Sequence, residues 1–340
     1  MRKFSFHFLM VMSLLQSCSK SKGTDTGAGA PTNLQVTAVV NPDSSGNVLF
    51  TATATNASTF EYNFGNGSVQ VVPSGISTYK YLSSGSYNVT VTAKSSTGQT
   101  LSKTIPIEIK LPLKLVWSDE FDKDGAPDAS KWGYDIGGNG WGNAELEYYT
   151  DRRENSVVEN GLLKIKAKKE GYMGSGYTSA RLLTKDKLDF TFGKVEVRAK
   201  LPSGVGTWPA IWMLGSNINT VPWPGCGEMD IMEHLGRDLN KIYGTFHYPG
   251  RFGGNADGKS ILIFNATTEF HIYKIDWKPN EIKIYADEQL VHSIVNSSSV
   301  PFNHTFFIIL NLAIGGNFAG SVDPALTNAT MEVDYVRLYK

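Results

Sequence analysis

Cysteine is nearly missing from this chain: Cys18 and Cys226 are the only two in 340 residues. No disulfide framework is available if Cys18 is used otherwise, so stability has to come from packed cores. Net charge is missing as well. With 32 basic and 32 acidic side chains, no global field favours nucleic acid or an anionic membrane surface, and a neutral partner fits better. The one extended apolar run, Phe4 to Leu15, is too short to span a bilayer. No long helical period interrupts the sequence. What is plentiful is glycine, at 34, and aromatic residues, at 11% with 7 Trp. They describe a β-rich chain with many tight turns, whose rings either fill a core or face a flat ligand.

The N-terminus has the charged-then-apolar order of a secretory signal, Arg2 and Lys3 before the apolar run. Leu15-Gln16-Ser17-Cys18 resembles the lipobox of bacterial lipoproteins. The resemblance implies a signal peptide over 1–17, lipidation of Cys18 and a membrane anchor. The expected address is then the outer membrane or cell surface, with a periplasmic or secreted protein as the plain alternative. Residues 18–30 are Ser, Lys, Gly and Thr with little to bury, and read as a flexible tether.

Residues 31–110 carry short alternating runs such as "NVLFTATAT" and "SYNVTVTAK" between Gly, Asn, Ser and Pro clusters, the pattern of a small β-sandwich. "YNFGNG" and "YKYLSSGSYNVTVTAK" resemble an immunoglobulin-like PKD module, which implies a tight turn for the first and a hairpin for the second. Asn66 stands where that family usually has Asp. The module reads as a spacer or as a sugar-binding accessory domain. Pro106 and Pro112 interrupt the ladder pattern, and a second domain is expected over 111–340. Its strand-like runs, among them "LLKIKAKK", "GKVEVRAKLP", "EMDIMEH", "KIYGTFHY", "HIYKIDWK", "EIKIYAD", "HTFFIILNLAI" and "MEVDYVRLY", predict an all-β, antiparallel double-sheet jelly roll. A groove on one face could hold an extended polymer.

The chemistry-bearing stretch is Glu228-Met229-Asp230-Ile231-Met232-Glu233. On a regular strand Glu228 and Asp230 share a face while Glu233 points to the other. A β-bulge at Ile231 or Met232 shifts that parity and turns all three acids into one groove. The two glutamate backbones then lie roughly 13 Å apart, and inward-leaning side chains close the gap. A carboxyl separation of about 5–5.5 Å suits attack by one group while the other gives and later removes a proton. Repulsion among three close acids is expected to raise one pKa and leave another ionised. On that division Glu228 attacks, Glu233 is the acid and base, and Asp230 orients its neighbours. The competing readings are a half-buried strand with a charged outer face, or a metal site that also uses His234, although no fixed ligand spacing supports the latter. Cys226 reads as a small packed side chain rather than a nucleophile.

These residues resemble glycoside hydrolase family 16, in particular its laminarinase-like members, whose mark is Glu-x-Asp-x-x-Glu on a bulged strand. "WSDEFD", "GNAELEYYT", "FGKVEVRAKLPSGVGTWPAIWML", "WPGCGEMDIMEHLG", "FHIYKIDW", "LNLAIGGNF" and "VDYVRLY" follow in the family's order. The bulged motif argues against the lichenase-type and plant xyloglucan-type branches. The resemblance implies retaining endo-hydrolysis of β-1,3-glucan, or of mixed 1,3-1,4-glucan, by a monomer that needs no catalytic cofactor. It implies the same roles for Glu228, Asp230 and Glu233. It also implies that Trp208, Trp212 and Trp223 stack on sugars, while Asn143, Glu145, Arg181 and His247 line the groove. Arg181 could equally pair with a surface acid, and His247 could be a satisfied half-buried histidine. Trp277 reads as core or turn packing. A structural calcium on Glu120, Gly161 and Asp334 is a further implication. The enzymatic alternative is a hydrolase of a marine galactan of the agarose, carrageenan or porphyran type. Because Trp208–Glu233 contains neither Lys nor Arg, sulfate is disfavoured there. The non-enzymatic alternative is a glucan-binding protein.

Overall fold

A computed structural model describes residues 29–340. The expected signal peptide over 1–17, Cys18 and most of the expected tether over 18–30 lie outside the described residues. The chain divides after Pro112 into two compact units, close to the boundary that the prolines suggest.

The first unit is a sandwich of a three-stranded sheet (Thr32–Val40, Asn47–Thr55, Ile76–Lys80) and a four-stranded sheet (Thr59–Asn63, Val69–Val72, Gly85–Lys94, Thr100–Ile109). Alternation turns Val48, Phe50, Tyr62, Val89 and Val91 into one buried core. "FGNG" is the tight turn expected: Phe64 N–H donates to Ser68 O at 3.0 Å. Gly65 sits there at φ 77, where a Cβ would lie 2.7 Å from Asn88 O. The expected hairpin over 79–94 is not one. Ile76–Lys80 pairs with Asn47–Thr55 in one sheet, and Gly85–Lys94 pairs with Thr59–Asn63 and Thr100–Ile109 in the other. Between them lies Tyr81, fully buried, whose hydroxyl donates to Phe64 O at 3.0 Å. It draws the chain across the core instead of back along the same sheet.

The second unit is likewise all β. Its described residues form a ten-stranded and a seven-stranded sheet in which consecutive hairpins alternate with crossovers between sequence-distant strands, as a jelly roll requires. The runs singled out in sequence are all strands, and Glu228–His234 coincides with "EMDIMEH". Across the smaller sheet the order is Asp257–Leu262, Lys241–His247, Glu228–His234, Thr207–Gly215, Phe306–Ile314, Arg181–Leu183 and Gly133–Tyr134. Its inner face delivers Met229, Ile231, Met232, Phe246, Ile308 and Leu310 to a continuous core with Ile165, Val197, Ile275 and Val333 of the larger sheet. Each such side chain contributes roughly 1.5–3 kcal/mol on burial. Thr207–Gly215 is central although it holds Pro209. Its ladder with the acid-bearing strand begins only at Ala210, so the missing N–H falls where that ladder asks for none. No helix among the described residues is long and apolar enough to cross a membrane.

Candidate active site

The acid-bearing strand contains the bulge that its spacing demands. Against one neighbour, Asp230 pairs with Thr245 and Glu233 with Tyr243, so Ile231 and Met232 together oppose Gly244. Against the other, Trp212 pairs with Asp230 and Ile211 with Met232, leaving Ile231 without a partner. The extra residue changes the parity, and Glu228, Asp230 and Glu233 all line one cleft of ≈ 1030 Å³ on the outer face of the smaller sheet. Gly244 keeps the bulge close to the core, because a Cβ there would lie 3.0 Å from Ile284 Cγ2.

Each acid has its own surroundings. Glu233 accepts from Trp208 Nε1 and from Thr245 Oγ1, both at 3.1 Å. His247 Nε2 lies 3.2 Å from Asp230 Oδ2 and 3.6 Å from Glu228 Oε1. It is bent away from a well-aligned bond, since Asp230 Oδ2 has no hydrogen-bond partner. Inside the cleft none of the three carboxyls keeps its ordinary pKa. All three are pushed up to about 8. Burial is the first cause for each, and repulsion from Asp230 comes second for both glutamates. Exclusion of water acts on the whole trio before their differences do.

A stability effect follows. Asp230 moves from 3.8 in the free chain to about 8 when folded. Its contribution to stability is therefore full below about pH 4 and is lost as pH rises through about 8. Asp230→Asn is expected to melt about 4–8 °C above the parent at pH 8, corresponding to about 2 kcal/mol, and within a degree or so of it at pH 4. Melting curves at the two pH values check this, and an equal gap at both would exclude the linkage.

The walls are aromatic and hydrogen-bonded. Trp212 Nε1 donates to Asn311 Oδ1 at 2.8 Å, and Asn311 Nδ2 donates to Tyr149 Oη at 3.0 Å. Tyr149 Oη and Asn143 Nδ2 donate in turn to the two oxygens of Glu145, at 3.0 and 3.1 Å. The Arg181 guanidinium lies between the Trp141 and Trp212 rings, 4.9 and 4.7 Å from their centroids. It also pairs with Asp135 at 2.9 Å, so both readings of that residue hold. Trp223 stays 41% exposed beside His247 and Phe252, as a platform for a ligand ring would be. Every residue named in sequence as catalytic or groove-lining therefore faces this cleft.

Sequence reasoning missed Trp141, Tyr243, Thr245, Asn311 and Phe318, which also line it. Tyr243 and Thr245 were within reach, because they share the parity of His247 on one strand. Phe318 was not. It sits on a short turn whose Phe318 and Ala319 carbonyls are gripped by Arg237, and its ring edges onto Trp208 and Tyr243 at 5.4 and 5.1 Å. Cys226 is buried, with its thiol pushed up to about 11, and Trp277 is buried with Nε1 donating to Phe302 O. Both are packing residues.

The sequence allows two metal sites, one on Glu120, Gly161 and Asp334 and one on the acids with His234, but His234 is fully buried and does not line the cleft. Glu120 accepts from Arg337 Nε and Nη2 at 3.0 and 2.8 Å, and Asp334 accepts from Arg198 at 2.6 Å. Gly161 sits at φ 73 in the turn after Ser156–Glu159. With both carboxylates neutralised by arginines, this donor set does not fit calcium. Among the described residues, Glu228, Asp230 and His247 do bring ligand atoms within 4.8 Å of one another. There, however, His247 Nδ1 accepts from Gly253 N–H at 3.2 Å. The neutral ring therefore presents Nε2–H, and not a lone pair, to the acids.

A two-sheet β-sandwich with two glutamates in one tryptophan-walled cleft is the arrangement of a glycoside hydrolase, whose chemistry rests on a carboxyl pair. Within that class the chain belongs to glycosyl hydrolases family 16, whose family model matches residues 143–337. A second model, for the PKD domain, matches residues 22–105. The chain is 46% identical over 243 residues to a β-glucanase of Rhodothermus marinus, spanning 67% of this chain and 85% of that protein. It is similar to the X-ray structure of the laminarinase from the same organism at 45% identity and a TM-score of 0.66, covering 67% of this chain and 98% of that one. It is also similar to a LamA variant from Z. galactanivorans, crystallised with laminaritriose and laminaritetraose, at 41% identity and a TM-score of 0.62, covering 66% and 98%.

Proposed function

We propose that the second unit hydrolyses β-1,3-glucan internally, and mixed 1,3-1,4-glucan at 1,3-linked units, with retention of anomeric configuration. The observation that carries this is the bulge, which brings Glu228 and Glu233 to one cleft. Glu228 attacks the anomeric carbon as the glycosidic bond breaks, and the leaving oxygen takes the proton of Glu233. Water then attacks the glycosyl-enzyme ester, Glu233 takes back a proton, and Glu228 is released as a carboxylate. Asp230, between them, tunes both by its charge. Trp208, Trp212 and Trp223 stack on sugar faces, and Asn143, Glu145, Arg181 and His247 hold hydroxyls. This cycle uses carboxyl groups alone and calls for no catalytic cofactor.

The relatives named β-glucanase and laminarinase support this substrate over a galactan. So does the cleft. Of the two cations along it, Arg181 is already paired with Asp135, which leaves Lys259, a thin provision for a sulfated polymer. Laminarin should be cut to a ladder of oligosaccharides from the first minutes, lichenan more slowly, and agarose not at all. Chromatographic sizing of products checks this, and release from agarose but not laminarin would reverse the ranking. The N-terminal sequence supports an exported, lipid-anchored protein with the PKD module as spacer.

A further inference from the structure

The loop that follows His247 is tied down far more than a nine-residue excursion between two strands needs. Tyr248 and Arg251 exchange both backbone hydrogen bonds at 2.8 Å. Arg251 Nε donates to Asn255 O at 3.1 Å, and Asn255 Nδ2 donates to Gly250 O at 3.2 Å. Asp257 closes the loop: it accepts from Tyr248 Oη at 3.0 Å and from His292 Nε2 at 3.1 Å, with Arg251 Nη2 3.5 Å away. His292 Nδ1 accepts from Ser293 N–H at 2.9 Å, so its Nε2 is the donor to Asp257. The clasped loop delivers two things to the cleft: the Phe252 ring against Trp223, and the Gly253 N–H to His247 Nδ1.

A backbone N–H can only donate, so Nδ1 of His247 must offer its lone pair. An imidazolium would set two protons against each other there, and the opposite neutral tautomer would do the same. We propose that the Tyr248–Asp257 loop is a positioning element that locks His247 as the neutral Nε2–H tautomer, presenting a hydrogen-bond donor rather than a full charge to Glu228 and Asp230. The fixed Nε2–H lies 3.2 Å from Asp230 Oδ2 and 3.6 Å from Glu228 Oε1 without a well-aligned bond to either. It therefore turns a polar hydrogen toward whichever carboxylate is ionised without cancelling the negative charge the attack requires. Ordinary groove lining would need His247 only to be near the substrate; this role needs Gly253 and Asp257 as well.

The test uses the full chain in two arms. In the first, nitrogen-15 NMR of the histidine ring resonances at pH 7, with His247 identified by its absence in His247→Gln, is expected to show Nε2 protonated and Nδ1 bare. An imidazolium, or a proton on Nδ1, overturns the proposal. This arm does not depend on what the cleft hydrolyses. The second arm rests on the glucanase reading. Asp257→Ala, or Tyr248→Phe if that variant fails to fold, is expected to mix the tautomers and lower kcat on laminarin roughly tenfold with KM within about twofold. Gln at position 247 offers an amide donor that needs no lock, so Asp257→Ala in the His247→Gln background should change kcat by less than about twofold. An equal loss in both backgrounds, or an unchanged ring spectrum in Asp257→Ala, overturns the role of the loop. If the parent itself fails to cut laminarin, the substrate reading fails and the first arm still decides the tautomer.

Discussion

Glu228→Gln is expected to lower kcat on laminarin by roughly four orders of magnitude or more, the scale seen when a covalent nucleophile is removed. An amide cannot form the glycosyl ester, and the groups around Glu228 do not offer a substitute in line with the sugar. Asp230 leans on His247, and Glu233 is held by Trp208 and Thr245. Binding should survive, because the stacking rings and the Trp212–Asn311–Tyr149–Glu145 chain do not pass through Glu228. Calorimetric titration with laminari-oligosaccharides should give a Kd within a few-fold of the parent. Turnover close to that of the parent would remove Glu228 from its role.

Glu233→Gln is expected to cost roughly 10²–10⁴ in kcat on laminarin, where the departing sugar oxygen needs a proton. The deficit should shrink to about tenfold or less for cleavage of a dinitrophenyl laminaribioside, whose leaving group departs as an anion unaided. That contrast, read by burst-phase kinetics, separates proton donation from a general disturbance of the cleft. A variant equally slow on both substrates would place Glu233 outside the acid role. Burial raises the Glu233 carboxyl, which favours a held proton there as a general acid requires. Glu228 is raised in the same way, so the division of roles rests on the kinetic contrast rather than on the pKa values.

The acid trio was legible because period-two alternation is rigid. A spacing of five, with four residues between the two glutamates, contradicts a shared face, and only an inserted residue resolves the contradiction. The core side was legible for the same reason, through Met229 and Ile231. Less was legible wherever position depends on a distant contact. The run over 79–94 looked like a hairpin, and buried Tyr81 sends it across the sandwich instead. Phe318 reaches the cleft only through Arg237, some eighty residues earlier, and Trp141 only through a turn capped by Asn139. The raising of all three pKa values by burial depends on how deep the cleft is, which spacing does not report. The calcium expectation took no account of Arg337 and Arg198, which lie across neighbouring strands and pair with the acids it names.

The single unpaired residue at Ile231 also says what kind of genetic change the cleft can withstand. Exchanging one side chain for another leaves the phase of the strand intact, so the acid positions tolerate drift around them. Dropping one in-frame codon between Asp230 and Glu233 would turn Glu233 into the methionine-lined interior and bring its neighbour outward. Here the reading length of the strand, more than the identity of its residues, decides whether the two glutamates meet.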